Sequence, residues 1–322
     1  MIMLDNRKKV LVVGASPDSV NQNTIMRSFV VEGFVDLFGN DYVEESPLEY
    51  SYVLAKKFEP NLIVAFGSCM PDECDYSLLR KACDELKIPL IFWLHDDPYE
   101  IDFNYRAISV ADYIFSNDKW ATEFYNHPNS YHLPMAASKS AHFRPQTCNT
   151  LQDFFFCGVA FPNRQQLIGD IAPLLRKYKT TILGADWPID ECEFTENRRV
   201  GNSELSDYYQ NSKFVINIGR DFNLANDRYQ LVPSTPGPRT FEAAMAGAVQ
   251  LYFVESMEIV EYFEDGSEIL LFDDLKGLTD IVERLAENPE ARNSIGKNAQ
   301  RRALKEHTYY ERIKSMLEVI DI

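Results

Sequence analysis

The residues in this sequence that could do chemistry sit where apolar runs end. His95-Asp96-Asp97-Pro98 follows the run Pro89-Leu90-Ile91-Phe92-Trp93-Leu94. Titratable groups at a strand's carboxyl end can hold a hydroxyl or take its proton, so His95 and Asp96 are candidate catalytic residues. The plain alternative is turn chemistry before Pro98, with Asp97 its best example and His95 a satisfied structural histidine. A second place is Phe156-Cys157-Gly158 leading to Asn163-Arg164. Gly158 would let the backbone approach a ligand, and Arg164 would open a helix toward an anion. A third is Ile216-Asn217-Ile218-Gly219-Arg220, where Arg220 is either a cation at a strand end or a surface arginine after a turn.

The fullest signal is the run from Pro233 to Ala248, in which Pro233, Pro236, Gly237 and Pro238 lead into Arg239-Thr240-Phe241-Glu242. A stiff loop that opens a helix aims free N–H groups and a positive dipole end outward, which suits a phosphate. Arg239 would add a charge-assisted donor, and Glu242 could accept from a ribose diol. Ordinary capping by proline and a first-turn acid that complements the dipole account for the same residues equally well. Gly14-Ala15-Ser16 lacks the remaining glycines of a dinucleotide fingerprint, and Gly67-Ser68 is a second lone turn.

The elements that must carry these residues follow from periodicity. Apolar runs at Lys9–Ala15, Asn61–Gly67, Pro89–His95, Asp112–Ser116 and Tyr131–Met135 alternate with helical stretches at Thr24–Phe38, Leu48–Phe58, Tyr76–Lys87 and Trp120–Asn126. Such alternation predicts a parallel sheet covered on both faces. A polar stretch from Lys139 to Gln152 breaks the pattern. It then resumes with strands near Phe154–Gly158, Thr180–Gly184, Phe214–Ile218 and Val249–Val254, and helices at Arg164–Tyr178, Ser203–Asn211 and Arg239–Ala246. Two closing helices are expected, and the charged stretch from Pro289 to Ile322 could return to the first domain. The reading is α/β, with two Rossmann-like domains at 1–145 and 146–322 and a cleft between them.

Composition sets limits. The 322 residues are 45% hydrophobic and 25% charged, an ordinary globular mixture that excludes disorder as the main theme. The net charge is −17, with 13 basic and 21 acidic residues up to position 150 and 19 and 28 beyond it, so neither half is a basic arm. Nucleic acid is therefore not an expected partner, although a local stripe such as Arg301-Arg302 with Lys305 exists. The start is too short in apolar residues for a signal peptide, and no run approaches the ~20 needed to span a bilayer. Cys69, Cys74, Cys83, Cys148, Cys157 and Cys192 form no CxxC pair, which points to free thiols, a cytoplasmic location and no metal site.

Taken in order, His95-Asp96-Asp97-Pro98, Phe156-Cys157-Gly158 with Asn163-Arg164, Pro238-Arg239-Thr240-Phe241-Glu242-Ala243 with Gly247-Ala248, and Tyr262-Phe263-Glu264-Asp265-Gly266-Ser267 resemble the two-domain GT-B glycosyltransferases. Within these the sequence is similar to the CgeB-like (spore maturation protein B) group, related to retaining glycosyltransferase family 4. The resemblance is best from about Leu90 to the end. It implies transfer of a sugar from a nucleoside diphosphate sugar, a UDP-sugar being the expected donor, to an acceptor that is a glycan, a protein or a small molecule. It further implies retention and no required cofactor or metal. Gly158, Asn163, Arg164 and the run Pro238 to Glu242 would then bind the nucleotide, with Glu242 on the ribose and Arg164 and Arg220 neutralising the leaving diphosphate. Family 4 has a second glutamate eight positions before the ribose-binding one, and here that position is Ser234. A nucleotide-sugar epimerase of the same fold and a non-catalytic two-domain binding protein are the competing readings.

Overall fold

The computed structural model describes residues 8–21, 24–147, 150–188 and 193–321. Cys148 and Cys192 lie outside them; Cys69, Cys74, Cys83 and Cys157 are free thiols. The chain divides into two units. Unit 1 holds 1–135, 223–235 and 309–322, and unit 2 holds 136–222 and 236–308.

Unit 1 is built on parallel strands β1 (Val10–Gly14), β2 (Val43–Ser46), β3 (Leu62–Gly67), β4 (Leu90–Leu94), β5 (Tyr113–Ser116) and β6 (Ser130–His132), in the order β2-β1-β3-β4-β5-β6. Every residue of β1, β3 and β4 is buried, which is why these strands read as unbroken apolar runs. Helices α1 (Thr24–Phe38), α2 (Ser51–Phe58), α3 (Ser77–Leu86), α4 (Tyr105–Ile108) and α5 (Lys119–Thr122) connect them. Strand β2 has no counterpart in the sequence reading, because its middle residues Glu44 and Glu45 are exposed at the sheet edge.

Unit 2 contains α6 (Lys139–His142), β7 (Gln152–Cys157), α7 (Pro162–Leu175), β8 (Thr180–Leu183), β9 (Thr195–Glu196), α8 (Asn202–Gln210), β10 (Ser212–Asn217), α9 (Pro238–Met245), β11 (Gln250–Phe253), α10 (Ile259–Tyr262), β12 (Leu270–Phe272), α11 (Leu275–Leu285) and α12 (Pro289–Glu306). Its parallel strands run β12-β11-β10-β7-β8-β9. Phe154, Phe214, Leu251 and Ile182 from its central strands are fully buried against Ile171 and Leu175 of α7 and Val282 of α11. The stretch from Pro289 is not one helix: α12 stops at Glu306, and α13 (Tyr309–Val319) belongs to unit 1, where it packs on α1.

Both units have the layout of doubly wound Rossmann-like sheets. Strand order reverses direction between β1 and β3 in unit 1 and between β7 and β10 in unit 2. Ligands of open parallel sheets bind at the carboxyl ends of the strands that flank such a reversal. The loops after β7 and β10 are the ones that carry Gly158 and Gly219-Arg220.

Candidate active site

At the carboxyl edge of the unit 2 sheet, Gly158 follows β7 and donates its N–H to the Leu183 carbonyl at 3.0 Å. Its own carbonyl accepts from Trp187 Nε1 at 3.0 Å. Asn163 and Arg164 begin α7, where Pro162 occupies the first helical position. Arg164 is committed to the backbone: it donates to the carbonyls of Gly219 at 2.8 Å, Val159 at 3.1 Å and Ile218 at 3.2 Å. Its guanidinium also lies over the rings of Phe156 and Phe161. The anion-facing arginine expected from sequence is therefore, in this structure, a clamp on the end of β10.

Asn163 Nδ2 donates to Glu255 Oε1 at 3.1 Å, and Glu255 stands just beyond β11. Glu255 fills the space over Gly219 so closely that a Cβ there would fall 1.7 Å from its Oε2. Arg220 lies over the Phe161 ring at 6.0 Å, and Phe161 stacks on Phe222 with centroids 5.4 Å apart. Sequence reading missed Glu255, which is 92 residues from Asn163 in the chain.

Helix α9 starts at the Gly237-Pro238 step, with Pro238 at its first position. Arg239 Nη1 donates to Glu242 Oε2 at 2.7 Å; the arginine side chain is 43% exposed and the glutamate 5%. The other Glu242 oxygen faces His142 Nε2 at 3.9 Å. His142 Nδ1 accepts from the Ser138 N–H at 3.0 Å, so the ring proton belongs on Nε2, toward the carboxylate. His142 is a further residue that the motifs did not single out. Burial pushes the Cys157 thiol up, against the pull of Arg239 and Arg164.

Thr240 and Phe241 point inward. Asn217 Nδ2 donates to Thr240 Oγ1 at 2.9 Å, and Gln250 Nε2 donates to the Thr240 carbonyl at 2.9 Å. Phe241 packs among Tyr262, Phe263 and His307. Their side chains anchor the helix, which leaves the half-exposed guanidinium of Arg239, the Glu242 carboxylate that it holds and the Arg239 N–H as the groups a ligand can meet.

In unit 1, His95 and Asp96 follow β4. His95 is 9% exposed, with its ring 5.4 Å from that of Phe66. Asp97, joined to Pro98 by a cis peptide, is 2% exposed and receives hydrogen bonds from Asn104 Nδ2 and Ser116 Oγ, both at 2.6 Å, and from the Tyr125 hydroxyl. Burial raises its pKa to about 6, against those three donors. Asp97 is thus a structural acid, as turn chemistry would have it. Glu100, also 2% exposed, accepts from Ser68 Oγ at 2.7 Å and Cys69 N at 3.2 Å. Burial, and then the charge of Asp96, hold its carboxyl well above the usual range. Glu100 and Ser68 lie 32 residues apart, which hid the pairing from the sequence.

Among the described residues, no group of three or more His, Cys, Asp or Glu side chains is arranged to hold a metal ion. Within the same residues, no helix is long and apolar enough to cross a membrane.

Residues 164–318 match a family model described as "Glycosyl transferase-like". "Spore protein CgeB" of Bacillus subtilis (strain 168) is 23% identical over 239 residues, 67% of this chain and 72% of that protein. Among solved structures, Anabaena Alr3699/HepE in complex with UDP is 12% identical, covers 97% of this chain and 99% of its own, and superimposes with a TM-score of 0.61. T4 phage BGT in complex with UDP and Mn2+ is 10% identical, covers 98% and 100%, and has a TM-score of 0.59. Family model, relative and fold bear out the resemblance to the CgeB-like group and the GT-B architecture read from the motifs.

Proposed function

We propose that this chain, which has the GT-B fold and a glycosyl transferase-like domain over residues 164–318, moves a sugar from a UDP-sugar to a hydroxyl acceptor, with retention and without a bound metal. The observation that carries the proposal is the Arg239–Glu242 pair at the start of α9, inside the matched domain.

In this reading the nucleotide lies at the carboxyl edge of the unit 2 sheet, where Gly158 allows close approach. Glu242 exchanges its contact with Arg239 for the ribose diol, and Arg239 turns its guanidinium to the diphosphate together with its own backbone N–H at the start of α9. Asn163 and Arg164 hold the loop that presents Arg220. The donor's anomeric C–O bond breaks with its electron pair going to the diphosphate, and Arg220 meets the charge that develops there; one well-aimed donor of this kind lowers a barrier by roughly 3–4 kcal/mol. The acceptor oxygen bonds to the anomeric carbon on the face that the diphosphate leaves, as retention requires, and its proton passes to the departing phosphate oxygen; His95 and Asp96 are the unit 1 groups proposed to hold an acceptor hydroxyl.

The test is nucleotide release from UDP-, GDP- and ADP-sugars, read with and without EDTA, with products resolved by NMR. UDP release that survives EDTA and a product of unchanged anomeric configuration are expected. An epimerised nucleotide sugar formed without acceptor, or release that needs added Mn2+, would contradict the corresponding part of the proposal.

A further inference from the structure

Unit 1 contains a cavity of about 340 Å³ whose lining shares only Tyr125 with the side chains described above. That volume falls in the range of small-molecule sites, about 300–1,000 Å³. The six lining residues that decide its chemistry are Asp102, Tyr105, Phe124, Asn126, Arg228 and Tyr229.

Its walls are aromatic and fixed. The rings of Phe124 and Tyr229 lie 4.9 Å apart at 53°, and the Arg228 guanidinium sits 4.9 Å from the centre of the Tyr229 ring. Tyr105 is 60% exposed and Phe124 40%, so both show ring surface to whatever enters. The far wall is held by backbone bonds. Asp102 Oδ2 accepts from the Asp227 N–H at 2.6 Å and the Arg228 N–H at 3.3 Å, while the Asp102 N–H donates to the Ala225 carbonyl at 3.0 Å. Behind it, Leu231 packs with Ile101 and Ala121 against Tyr229.

The lining selects a ligand class. One carboxylate and one guanidinium give the cavity no excess positive charge, so a phosphate or a polyanion gains nothing from it. Several exposed aromatic faces in one concave place mark a binding surface, whereas isolated exposed rings need no explanation. The electron-rich faces of those rings attract the polarised C–H groups of a sugar ring, and Asn126, Arg228 and the Tyr105 hydroxyl supply donors and acceptors for its hydroxyls. We propose that this cavity binds a pyranose ring of a neutral glycan. That this glycan is the acceptor rests on the glycosyl-transfer reading; that it binds does not. The wall residues Arg228 and Tyr229 lie in the 223–235 segment, between Arg220 and Arg239 in the chain, so one connection carries donor-side residues at both ends and the sugar wall in its middle.

The test is saturation-transfer NMR on the full chain with maltose, cellobiose and N,N′-diacetylchitobiose, followed by a UDP titration of the same samples. At least one disaccharide is expected to show saturation transfer, reduced fivefold or more in Tyr105→Ala and in Tyr229→Ala. Tyr105 is exposed enough that its replacement leaves the fold intact, and unchanged UDP binding checks both variants. No signal from any of the three disaccharides, or a signal that persists in both variants, overturns the proposal. UDP binding without disaccharide binding would leave the glycosyl-transfer reading standing, and disaccharide binding without UDP would do the reverse.

Discussion

Asp118 Oδ2 accepts a hydrogen bond from the Ser234 N–H at 2.7 Å, and the same carboxylate caps α5 through Oδ1 and the Ala121 N–H at 3.0 Å. A second bond to Oδ2 comes from the Thr235 N–H at 3.1 Å. One acid therefore begins a helix and pins the end of the 223–235 segment. Ser234, which stands where family 4 has its other glutamate, is occupied in this contact. Asp118→Ala should cost about 1 kcal/mol for the cap and a further ~1.5–3 kcal/mol for the charged hydrogen bonds, as read by urea unfolding. Trypsin cleavage after the exposed Arg228 should accelerate at least tenfold; an unchanged cleavage rate would show that the segment is held some other way.

Gly184 marks a second dependence on local geometry. Its φ is +151°, and a Cβ there would fall 1.8 Å from the Gly158 carbonyl oxygen, a backbone atom that cannot swing aside. Gly184→Ala should lose about 2–4 kcal/mol in denaturant unfolding. Gly169→Ala on α7, where nothing lies within 4 Å of the added Cβ, should be neutral or stabilising by up to ~1 kcal/mol. Equal effects from the two substitutions would contradict the close approach at Gly184.

The carboxyls of Asp97 and Glu100 predict a pH dependence of stability. Both pKa values are raised by folding, Asp97 to about 6 and Glu100 further above its ordinary value. Between the unfolded and folded values the native state binds more protons, so stability is highest below the unfolded values near pH ~4 and falls as pH rises through about 6 and beyond. Glu100→Gln, which imitates the neutral acid, should flatten the fall in melting temperature between pH 5 and 9 relative to the unmodified chain. A parallel fall in the two proteins would mean that Glu100 is ionised throughout.

Much of this fold is legible in the sequence because the buried strands and amphipathic helices carry their own patterns. The span Thr24–Phe38 and the apolar runs of β1, β3 and β4 are examples. What was not legible depends on partners distant in the chain. The 223–235 segment reads as a connecting loop, because Asp102 and Asp118 grip its backbone and leave no mark on its side chains. Thr240 and Phe241 sit in a motif whose position predicts a binding role, yet spacing along the chain does not tell an inward side chain from an outward N–H. Arg164 likewise stands where an anion clamp would, and only the carbonyls of Val159, Ile218 and Gly219 reveal what it holds.

Whether the start of α9 receives a nucleoside diphosphate is read by calorimetric titration of the chain and of Glu242→Ala with UDP. UDP should bind the unmodified chain, and the variant should lose tenfold or more in affinity, about 1.4 kcal/mol, while keeping its fold by circular dichroism. Equal UDP affinity in the two proteins, or no binding of UDP, GDP or ADP to the unmodified chain at millimolar concentration, would contradict it.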